Sequence, residues 1–258
     1  YQLVEQVGAG AQATVYRAYQ PSTDRYVAVK VIPRHFASDP TFVERFRQEA
    51  RLVANLEHAH ILPVYDFGEE AGITYVAMRY LEAGTVTDIL LDRRRPLQEV
   101  SHLLSQIASA LDYAHRNNVI HRDIKPSNVL VTIRNDKAIP KIIDFGVARA
   151  ISQKLTEATL LTEDGHMIGT PEYMSPEQLN LESEGIDVRS DVYSLGVLLY
   201  VLLTGVMPFD PETLRQRGLE HLSRVLREEE PRTPSTRLAD LGEKADEVAA
   251  SRRTDVRT

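Results

Sequence analysis

The hydrophobic pattern of this chain changes near Gly84, and this change constrains the fold more than any single motif. Before it, short stretches such as "TVYRAYQ" and "RYVAVKVI" are separated by turn residues, which predicts the strands of an antiparallel sheet. Residues 39–56 instead have apolar side chains at helical spacing, with Asp39 as the expected N-cap. The first 80 residues or so are therefore expected to form a small β-rich unit with one main helix.

Helical patterns dominate the rest of the chain. Residues 97–118 predict an amphipathic helix, and "SDVYSLGVLLYVLLTG" is apolar nearly all round, which predicts a buried helix. "NVLVTI" and "PKIIDFG" predict two short strands between these helices, and the polar, threonine-rich residues 150–175 predict a mobile loop. We expect a boundary near residues 80–84, and a cleft between two lobes is a common place for a ligand.

Composition and charge exclude several classes of protein. The 258 residues carry a formal net charge of −7 and no strongly basic stretch, so nucleic acid is not an expected partner. The chain has no cysteine, which excludes disulfides and thiolate zinc sites and suits a reducing cytosol. The longest apolar run, residues 197–203, is far shorter than the roughly 20 residues of a membrane helix. We expect no membrane segment within this chain and a cytoplasmic location, with an anchor outside this piece as an open alternative.

The stretch "HRDIKPSN", residues 121–128, carries the most specific chemical signal. Asp123 could accept or orient a hydroxyl proton, Lys125 could neutralise a transferring phosphoryl group, and Asn128 offers an oxygen to a metal ion. Asp144 follows a short apolar strand in "IIDFG" and, with Asn128, makes a sparse oxygen site that suits Mg²⁺ better than Zn²⁺. A purely structural account of both motifs at this spacing is the weaker alternative.

Two features of the first unit indicate phosphate binding. In "GAGAQATV", Gly8 and Gly10 let backbone N–H groups approach phosphate oxygens closely, although a tight hairpin explains the same glycines. Lys30 lies between apolar neighbours, and a lysine that faces a cleft needs an anion to keep its charge. Glu49 on the predicted helix is the expected partner of Lys30, and Glu44 on the same helix is the alternative.

These ordered motifs resemble those of the eukaryotic-type (Hanks-type) serine/threonine protein kinases, and of their bacterial members most closely. The resemblance runs from about Tyr1 to Asp210. It implies an α+β fold of two lobes, with a small antiparallel β lobe and one main helix over residues 1–81 and a larger, mostly helical lobe over residues 82–258. It also implies transfer of the γ-phosphoryl group of ATP to serine or threonine hydroxyls of proteins in bacterial signalling, with Mg²⁺, or alternatively Mn²⁺, as the metal.

The resemblance assigns roles in catalysis and nucleotide binding to individual residues. Asp123 would be the catalytic aspartate, Lys125 would contact the γ-phosphate, and Lys30 would hold the α- and β-phosphates while it pairs with Glu49. Met78 matches the gatekeeper position before the hinge. The residues assigned to the nucleotide are Val7, Gly8, Gly10, Val15, Ala28, Lys30, Met78, Arg79, Leu81, Thr85 and Leu130, and those assigned to the metal are Asn128 and Asp144.

Other residues receive structural roles from the same resemblance. Asp191 is expected to brace the catalytic loop from a buried helix. Residues 169–178, "GTPEYMSPEQ", match the loop that receives the protein substrate, with Ser175 where the family usually has alanine. A stack that links the two lobes is expected from Val53, Val64, His121 and Phe145. His115 on the long helix is expected to be an ordinary packed or solvent-facing residue.

Activation is expected to involve phosphorylation of the chain itself. Arg122 precedes the catalytic aspartate, and an arginine there commonly binds a phosphate on the activation loop. Thr159 or Thr162 is the expected autophosphorylation site, and a merely polar loop is the alternative. Thr170 fits the serine/threonine pattern of substrate choice.

The chain departs from the family pattern in two places. Ala13 replaces the third glycine of the first motif and Gln12 lies at the loop tip, which puts the affinity for ATP in question. After Asp210 the usual apolar helices do not follow, so the chain is expected to end before the last helices of the large lobe. A pseudokinase is an alternative class, disfavoured by the complete set of catalytic residues. A small-molecule phosphotransferase is another, disfavoured by the peptide-seating stretch "GTPEYMSPE".

Overall fold

The computed structural model describes residues 1–10, 13–33, 40–88, 96–135, 137–145, 171–179, 186–211, 218–240 and 242. Its first unit is a five-stranded antiparallel sheet in the spatial order β1-β2-β3-β5-β4. The strands are β1 Gln2–Gly10, β2 Ala13–Gln20, β3 Arg25–Ile32, β4 Val64–Glu70 and β5 Ile73–Arg79. The small antiparallel sheet predicted from the sequence is thereby confirmed.

Strand β3 separates two apolar layers because its side chains alternate between the faces of the sheet. Val29 lies in the layer on one face. Ile32 lies on the other face, where it packs with the nearly fully buried Phe46 of helix α1, Pro40–Ala54. Lys30 shares the face of Ile32 because the two residues are two positions apart. Helix α1 therefore covers part of the face from which Lys30 projects.

The second unit contains a three-stranded antiparallel sheet and most of the helices. Its strands, in the spatial order β6-β7-β8, are β6 Gly84–Thr85, β7 Val129–Arg134 and β8 Lys137–Ile142. Its helices in the described residues are α2 Leu97–Arg116, α3 Val188–Thr204, α4 Gly218–Glu228 and α5 Pro234–Asp240. The two predicted strands and the amphipathic helix are confirmed, and β6 was not predicted. The division of the chain between residues 81 and 82 stays a prediction.

Backbone hydrogen bonds join the loop after α1 to strand β8. The N–H of Leu62 donates to the carbonyl of Ile142 at 2.9 Å, and the N–H of Ile142 donates to the carbonyl of His60 at 2.8 Å. The largest apolar cluster also crosses between the units, since it contains Val53 of α1 together with side chains of α2, β7, β8 and α3. The residues that follow β8 are therefore anchored against the first unit.

Helix α3 has distinct signals at both ends. Asp187 caps its N-terminus by accepting a hydrogen bond from the N–H of Arg189 at 2.8 Å. Gly205 ends it with a φ of 76°, a left-handed conformation that glycine adopts at little cost. The predicted burial of α3 is confirmed for the face that carries Leu198 but wrong for the opposite face, where Val192 is 62% exposed.

Helix α4 buries an apolar stripe in spite of its charged surroundings. Leu222, Val225 and Leu226 pack against Leu179, which lies in a short 3-10 helix, Pro176–Leu179. Within the described ranges, no helix is both long enough and apolar enough to cross a membrane. The expectation that the last helices of the large lobe lie beyond this chain stays a prediction.

Several expectations concern residues outside the described part of the chain. They are the N-cap Asp39, the loop tip Gln12, most of the threonine-rich loop, and the individual threonines Thr159, Thr162 and Thr170. These expectations stay predictions.

Candidate active site

The turn that contains residues 121–128 brings its three predicted catalytic side chains into contact. The Nζ of Lys125 lies 2.8 Å from the Oδ2 of Asp123. The Nδ2 of Asn128 donates to the backbone carbonyl of Asp123 at 2.7 Å and to its Oδ2 at 2.8 Å. A short 3-10 helix, Pro126–Asn128, turns the chain back so that Asn128 reaches Asp123. Because the amide nitrogen of Asn128 is used in these bonds, the atom that can ligate a cation is its Oδ1.

A fully buried carboxylate, Asp191 of α3, holds the backbone of this turn. Its Oδ2 accepts the N–H of His121 at 2.8 Å and the Nε2–H of His115 at 2.7 Å, and its Oδ1 accepts the N–H of Arg122 at 2.7 Å. Burial alone would raise the pKa of Asp191. The hydrogen bonds from His115 and from the two backbone N–H groups outweigh burial, so the pKa lies below its usual value.

The residue directly before Asp123 has a strained backbone. Arg122 has a φ of 69°, and such a conformation costs a residue other than glycine about 1–3 kcal/mol. It persists because Asp191 accepts the N–H of Arg122, and because the Nε2 of Gln178 donates to the carbonyl of Arg122 at 2.6 Å. The strain and its restraints set the direction in which the chain leaves Arg122 toward Asp123.

The ring of His121 connects the catalytic turn to the segment after β8. Its Nε2 lies 2.7 Å from the carbonyl of Ile143, which can only accept, so this nitrogen carries the proton. Its Nδ1 accepts the N–H of Asp123 at 3.2 Å. The ring also meets Phe145 edge to face at 4.6 Å between centroids. Val53 belongs to the same apolar cluster as Phe145, and Val64 packs against that cluster, in line with the predicted stack.

Lys30 forms an ion pair with Asp144 across the cleft, with 2.8 Å between Nζ and Oδ1. Burial would raise the pKa of Asp144, but the charge and hydrogen bond of Lys30 outweigh it, so the pKa is lowered. The positive charge of Lys125, in the catalytic turn, lowers the pKa further. Lys30 thus offsets the cost of burying the charge of Asp144, and its expected pairing with Glu49 stays a prediction.

The register of the first sheet assembles several of the predicted nucleotide-binding residues on one face. Lys30 lies opposite Val15 on β2, and Ala28 lies opposite Met78 on β5. Directly opposed side chains share a face, so these four side chains all project from the face of the sheet on which α1 packs. Gly8 is the partner of Val15 on β1. Lys30, Met78 and Asp144 also line one pocket with Val64, Val76 and Phe145.

The remaining nucleotide-binding candidates lie in three other places. Leu130 of β7 and Thr85 of β6 are register partners in the second sheet. Arg79 ends β5, and its N–H donates to the carbonyl of Pro63 at 3.0 Å. Leu81 follows in the connection to β6, and Val7 on β1 is 47% exposed. Gly10 is paired with Ala13 at the end of the first hairpin. Their contacts with a nucleotide stay predictions.

Two residues of the site were not identified from the sequence. His115 was expected to be an ordinary residue, but it donates to Asp191. A usable signal existed, because His115 lies four positions after the buried Leu111 and so extends the inner face of α2. Gln178 carried no such signal, because its contact with Arg122 depends on how the segment around it packs.

The fold and the site define a two-lobed phosphotransferase of the nucleotide-dependent kind. A sequence model described as the protein kinase domain matches residues 1–255. The chain belongs to the protein kinase family. Members of this family use ATP and a divalent cation to phosphorylate proteins.

Curated relatives narrow this membership to bacterial serine/threonine kinases. The chain is 40% identical over 244 residues to the serine/threonine-protein kinase Pkn3 of Myxococcus xanthus. The matched region covers 93% of this chain and 43% of Pkn3. The chain is 39% identical over 242 residues to PknB of Mycobacterium leprae, covering 92% of this chain and 37% of that protein. The chain thus spans less than half the length of these relatives.

A solved structure agrees with the assignment. The kinase domain of PknI from Mycobacterium tuberculosis superposes with a TM-score of 0.68 at 27% sequence identity, covering 100% of this chain and 88% of that one. The two-lobed kinase fold predicted from the sequence is thereby confirmed, and the chain is a kinase domain of the bacterial serine/threonine type.

Proposed function

We propose that this domain transfers the γ-phosphoryl group of ATP to serine or threonine hydroxyls of bacterial signalling proteins. One observation carries the proposal: Asp123 is in hydrogen-bond contact with both Lys125 and Asn128. The curated relatives of this chain are named serine/threonine-protein kinases, which supports the same reaction for this domain.

Asp123 orients the acceptor and takes its proton. As the hydroxyl oxygen bonds to the γ-phosphorus, the bond from that phosphorus to the bridging oxygen of ADP breaks, and the hydroxyl proton passes to the carboxylate. Lys125 lies 2.8 Å from the same carboxylate, close enough to neutralise charge on the group in transfer. Little covalent chemistry is required of the protein, so positioning and charge neutralisation supply most of the acceleration.

Asn128 and Asp144 would hold the metal. The donor set fits Mg²⁺, which needs few protein oxygens because it keeps water and phosphate oxygens as ligands, and Mn²⁺ is the alternative. Asn128 already presents Oδ1, because its amide nitrogen is used by Asp123. When bound, the cation would neutralise negative charge on the phosphates.

The nucleotide would bind against the face of the first sheet that carries Lys30. Val15, Ala28 and Met78 would supply apolar contacts for the adenine ring on this face, and Leu130 of the second sheet would contact the ring from its other side. Gly8 and Gly10 would bring backbone N–H groups to the phosphates. Lys30 would hold the α- and β-phosphates, with Glu49 of α1 as a second partner for its ammonium. Val7, Arg79, Leu81 and Thr85 complete the proposed contacts.

The proposal extends to partners and location. The acceptor proteins include this chain itself, at Thr159 or Thr162. Nucleic acid is not among the partners, since the formal net charge is −7. The reaction takes place in the cytoplasm, which suits a chain without cysteine.

Radiolabelled ATP tests the reaction. The purified chain should incorporate label into protein serine or threonine, and Asp123→Asn should lower the rate by about 10²–10⁴-fold, the usual contribution of a general base. Asp112→Asn is the matched control, because Asp112 is a 60% exposed carboxylate on α2 that pairs with the neighbouring Arg116. Nucleotide binding without label transfer would favour a pseudokinase, and label in a small molecule would favour a small-molecule phosphotransferase.

A further inference from the structure

The peptide group between Arg122 and Asp123 is held at both of its polar atoms. Its carbonyl accepts a hydrogen bond from the Nε2 of Gln178 at 2.6 Å. Its N–H donates to the Nδ1 of His121 at 3.2 Å. This peptide directly precedes the Cα atom of Asp123, so its plane sets the direction in which the Asp123 carboxylate projects.

The two restraints act on a backbone that would otherwise relax. Arg122 has a φ of 69°, in the left-handed region that non-glycine residues avoid. Asp191 holds only the N–H of Arg122, on one side of the strained torsions. The carbonyl on the other side accepts from Gln178 at 2.6 Å. Loss of that contact removes the shorter of the two restraints described for this peptide and leaves the 3.2 Å bond from the N–H of Asp123 to His121, while Asp191 remains bound.

The orientation of the Gln178 amide is determined by its other end. The N–H of Ser175 donates to the Oε1 of Gln178 at 2.9 Å, and the Oγ of Ser175 donates to the same oxygen at 3.1 Å. Two donors at one atom identify it as the oxygen, so the nitrogen faces Arg122. Ser175 is fully buried, and it stands where the family usually has alanine. The serine therefore adds a second restraint on the amide that reaches the catalytic turn.

The segment that carries Gln178 is itself anchored to α3. The Oγ of Ser194 donates to the carbonyl of Tyr173 at 2.8 Å, and the Oγ of Ser190 donates to the Oε1 of Glu177 at 2.6 Å. Helix α3 also supplies Asp191. The catalytic turn and this segment thus share one support, and Gln178 is a direct bridge between them.

We propose that Gln178 is a positioning residue for phosphoryl transfer. Its side chain transmits the position of residues 171–179 to Asp123 through the carbonyl of Arg122. This inference rests on the proposed function, because the effect of Gln178 on turnover has meaning only if Asp123 serves phosphoryl transfer. It predicts that Gln178 affects the rate of transfer more than the binding of ATP.

Gln178→Glu is the sharpest variant, because it keeps an acceptor for Ser175 but turns an oxygen toward the carbonyl of Arg122. We expect kcat to fall by about 10- to 100-fold, as misplacement of a catalytic group commonly does, while KM for ATP changes less than about twofold. Gln178→Met, which has a similar length and no hydrogen-bonding amide, should show a loss of the same order. Gln106→Met is the matched control, since the amide of Gln106 also donates to a backbone carbonyl, that of His102, but lies on α2.

The pH profile separates positioning from a general structural defect. A protonated carboxylic acid at position 178 regains an O–H donor for the carbonyl of Arg122. The kcat of Gln178→Glu relative to the parent should therefore rise as the pH is lowered from about 8 toward the carboxyl pKa, whereas that of Gln178→Met should stay constant. A flat ratio for both variants would overturn the proposal, and so would a kcat equal to that of Gln106→Met.

Hydrogen exchange provides a readout that does not need turnover. Loss of the Gln178 contact should speed exchange of the backbone amides in residues 121–128 in both variants, while exchange within α2 stays as in the parent. Unchanged exchange in residues 121–128 would overturn the role of Gln178. If the parent chain transfers no phosphoryl group, the proposed function fails, and the exchange result still decides whether Gln178 positions the turn. If Gln178→Glu does not fold, Gln178→Met and the milder Ser175→Ala carry the same measurements.

Discussion

The ammonium of Lys30 lies 2.8 Å from the carboxylate of Asp144, so strand β3 of the first sheet and the segment after β8 meet in an ion pair. The two side chains are 12% and 26% exposed, so the contact is only partly screened by water. The pair ties the proposed phosphate-binding lysine to the proposed metal ligand. A substitution of either residue should therefore affect both phosphate binding and metal binding.

Lys30→Met should lower both ATP affinity and stability. The variant leaves the Asp144 carboxylate desolvated without its cation, which raises its pKa and costs roughly 1–3 kcal/mol of unfolding free energy. Urea titration measures the stability and isothermal calorimetry measures the binding of ATP. Lys137→Met, at an exposed lysine of β8, is the control. Equal affinity and stability in the two variants would contradict the role assigned to the ion pair.

Asp191 should make the domain sensitive to acid. Its pKa is lowered in the folded state, so the unfolded chain binds the proton first as the pH falls. The stabilisation is complete above the ordinary aspartate pKa of about 3.9 and is lost as the pH falls through the lower, folded value. Asp191→Asn should be less stable near neutral pH, because the amide cannot accept from all three donors. It should also show a shallower loss of stability in acid.

Urea titrations across that acid range measure this effect. Asp112→Asn, at an exposed aspartate of α2, should keep the acid dependence of the parent. An Asp191→Asn variant that loses stability in acid as steeply as the parent would show that Asp191 is not the group responsible.

His115→Leu should weaken the support of the catalytic turn. Removing the Nε2–H donor leaves the buried Asp191 with two backbone partners, which should cost roughly 1–3 kcal/mol of stability and raise its pKa. His102→Leu, on the exposed face of the same helix, is the control. The midpoint temperature of thermal unfolding and the rate of phosphoryl transfer should both be lower for His115→Leu than for His102→Leu. The idea that His115 braces Asp191 fails if the two leucine variants behave alike.

Asn128→Ala should raise the requirement for divalent cation. It removes one proposed ligand oxygen and the amide that holds Asp123, so we expect activity to fall by about 10–100-fold and to need more Mg²⁺ for half-saturation. Asn117→Ala is the matched control, because the amide of Asn117 also donates to a backbone carbonyl, that of Tyr113, at the end of α2. Removing the cation with EDTA should abolish transfer by the parent. An unchanged Mg²⁺ requirement in Asn128→Ala would exclude Asn128 as a ligand.

The types of the secondary-structure elements were predictable because they depend on local periodicity. The alternating stretches became β2 and β3, and residues 97–118 became α2 with a difference of two residues at its end. Burial was less predictable. An all-round apolar helix has no distinguishable inner face, so the pattern could not show that Val192 of α3 is exposed.

The sequence by itself determined the cluster of Asp123, Lys125 and Asn128, because residues within one short turn can only lie close together. It also determined, through its ordered motifs, that the chain is a protein kinase domain. Only the tertiary structure decided that Lys30 pairs with Asp144, that His115 supports Asp191 over a separation of 76 residues, and that Gln178 reaches Arg122 over 56 residues. Such partners are selected by how distant elements pack and by which buried charge or carbonyl most needs a donor, and no local pattern encodes that choice.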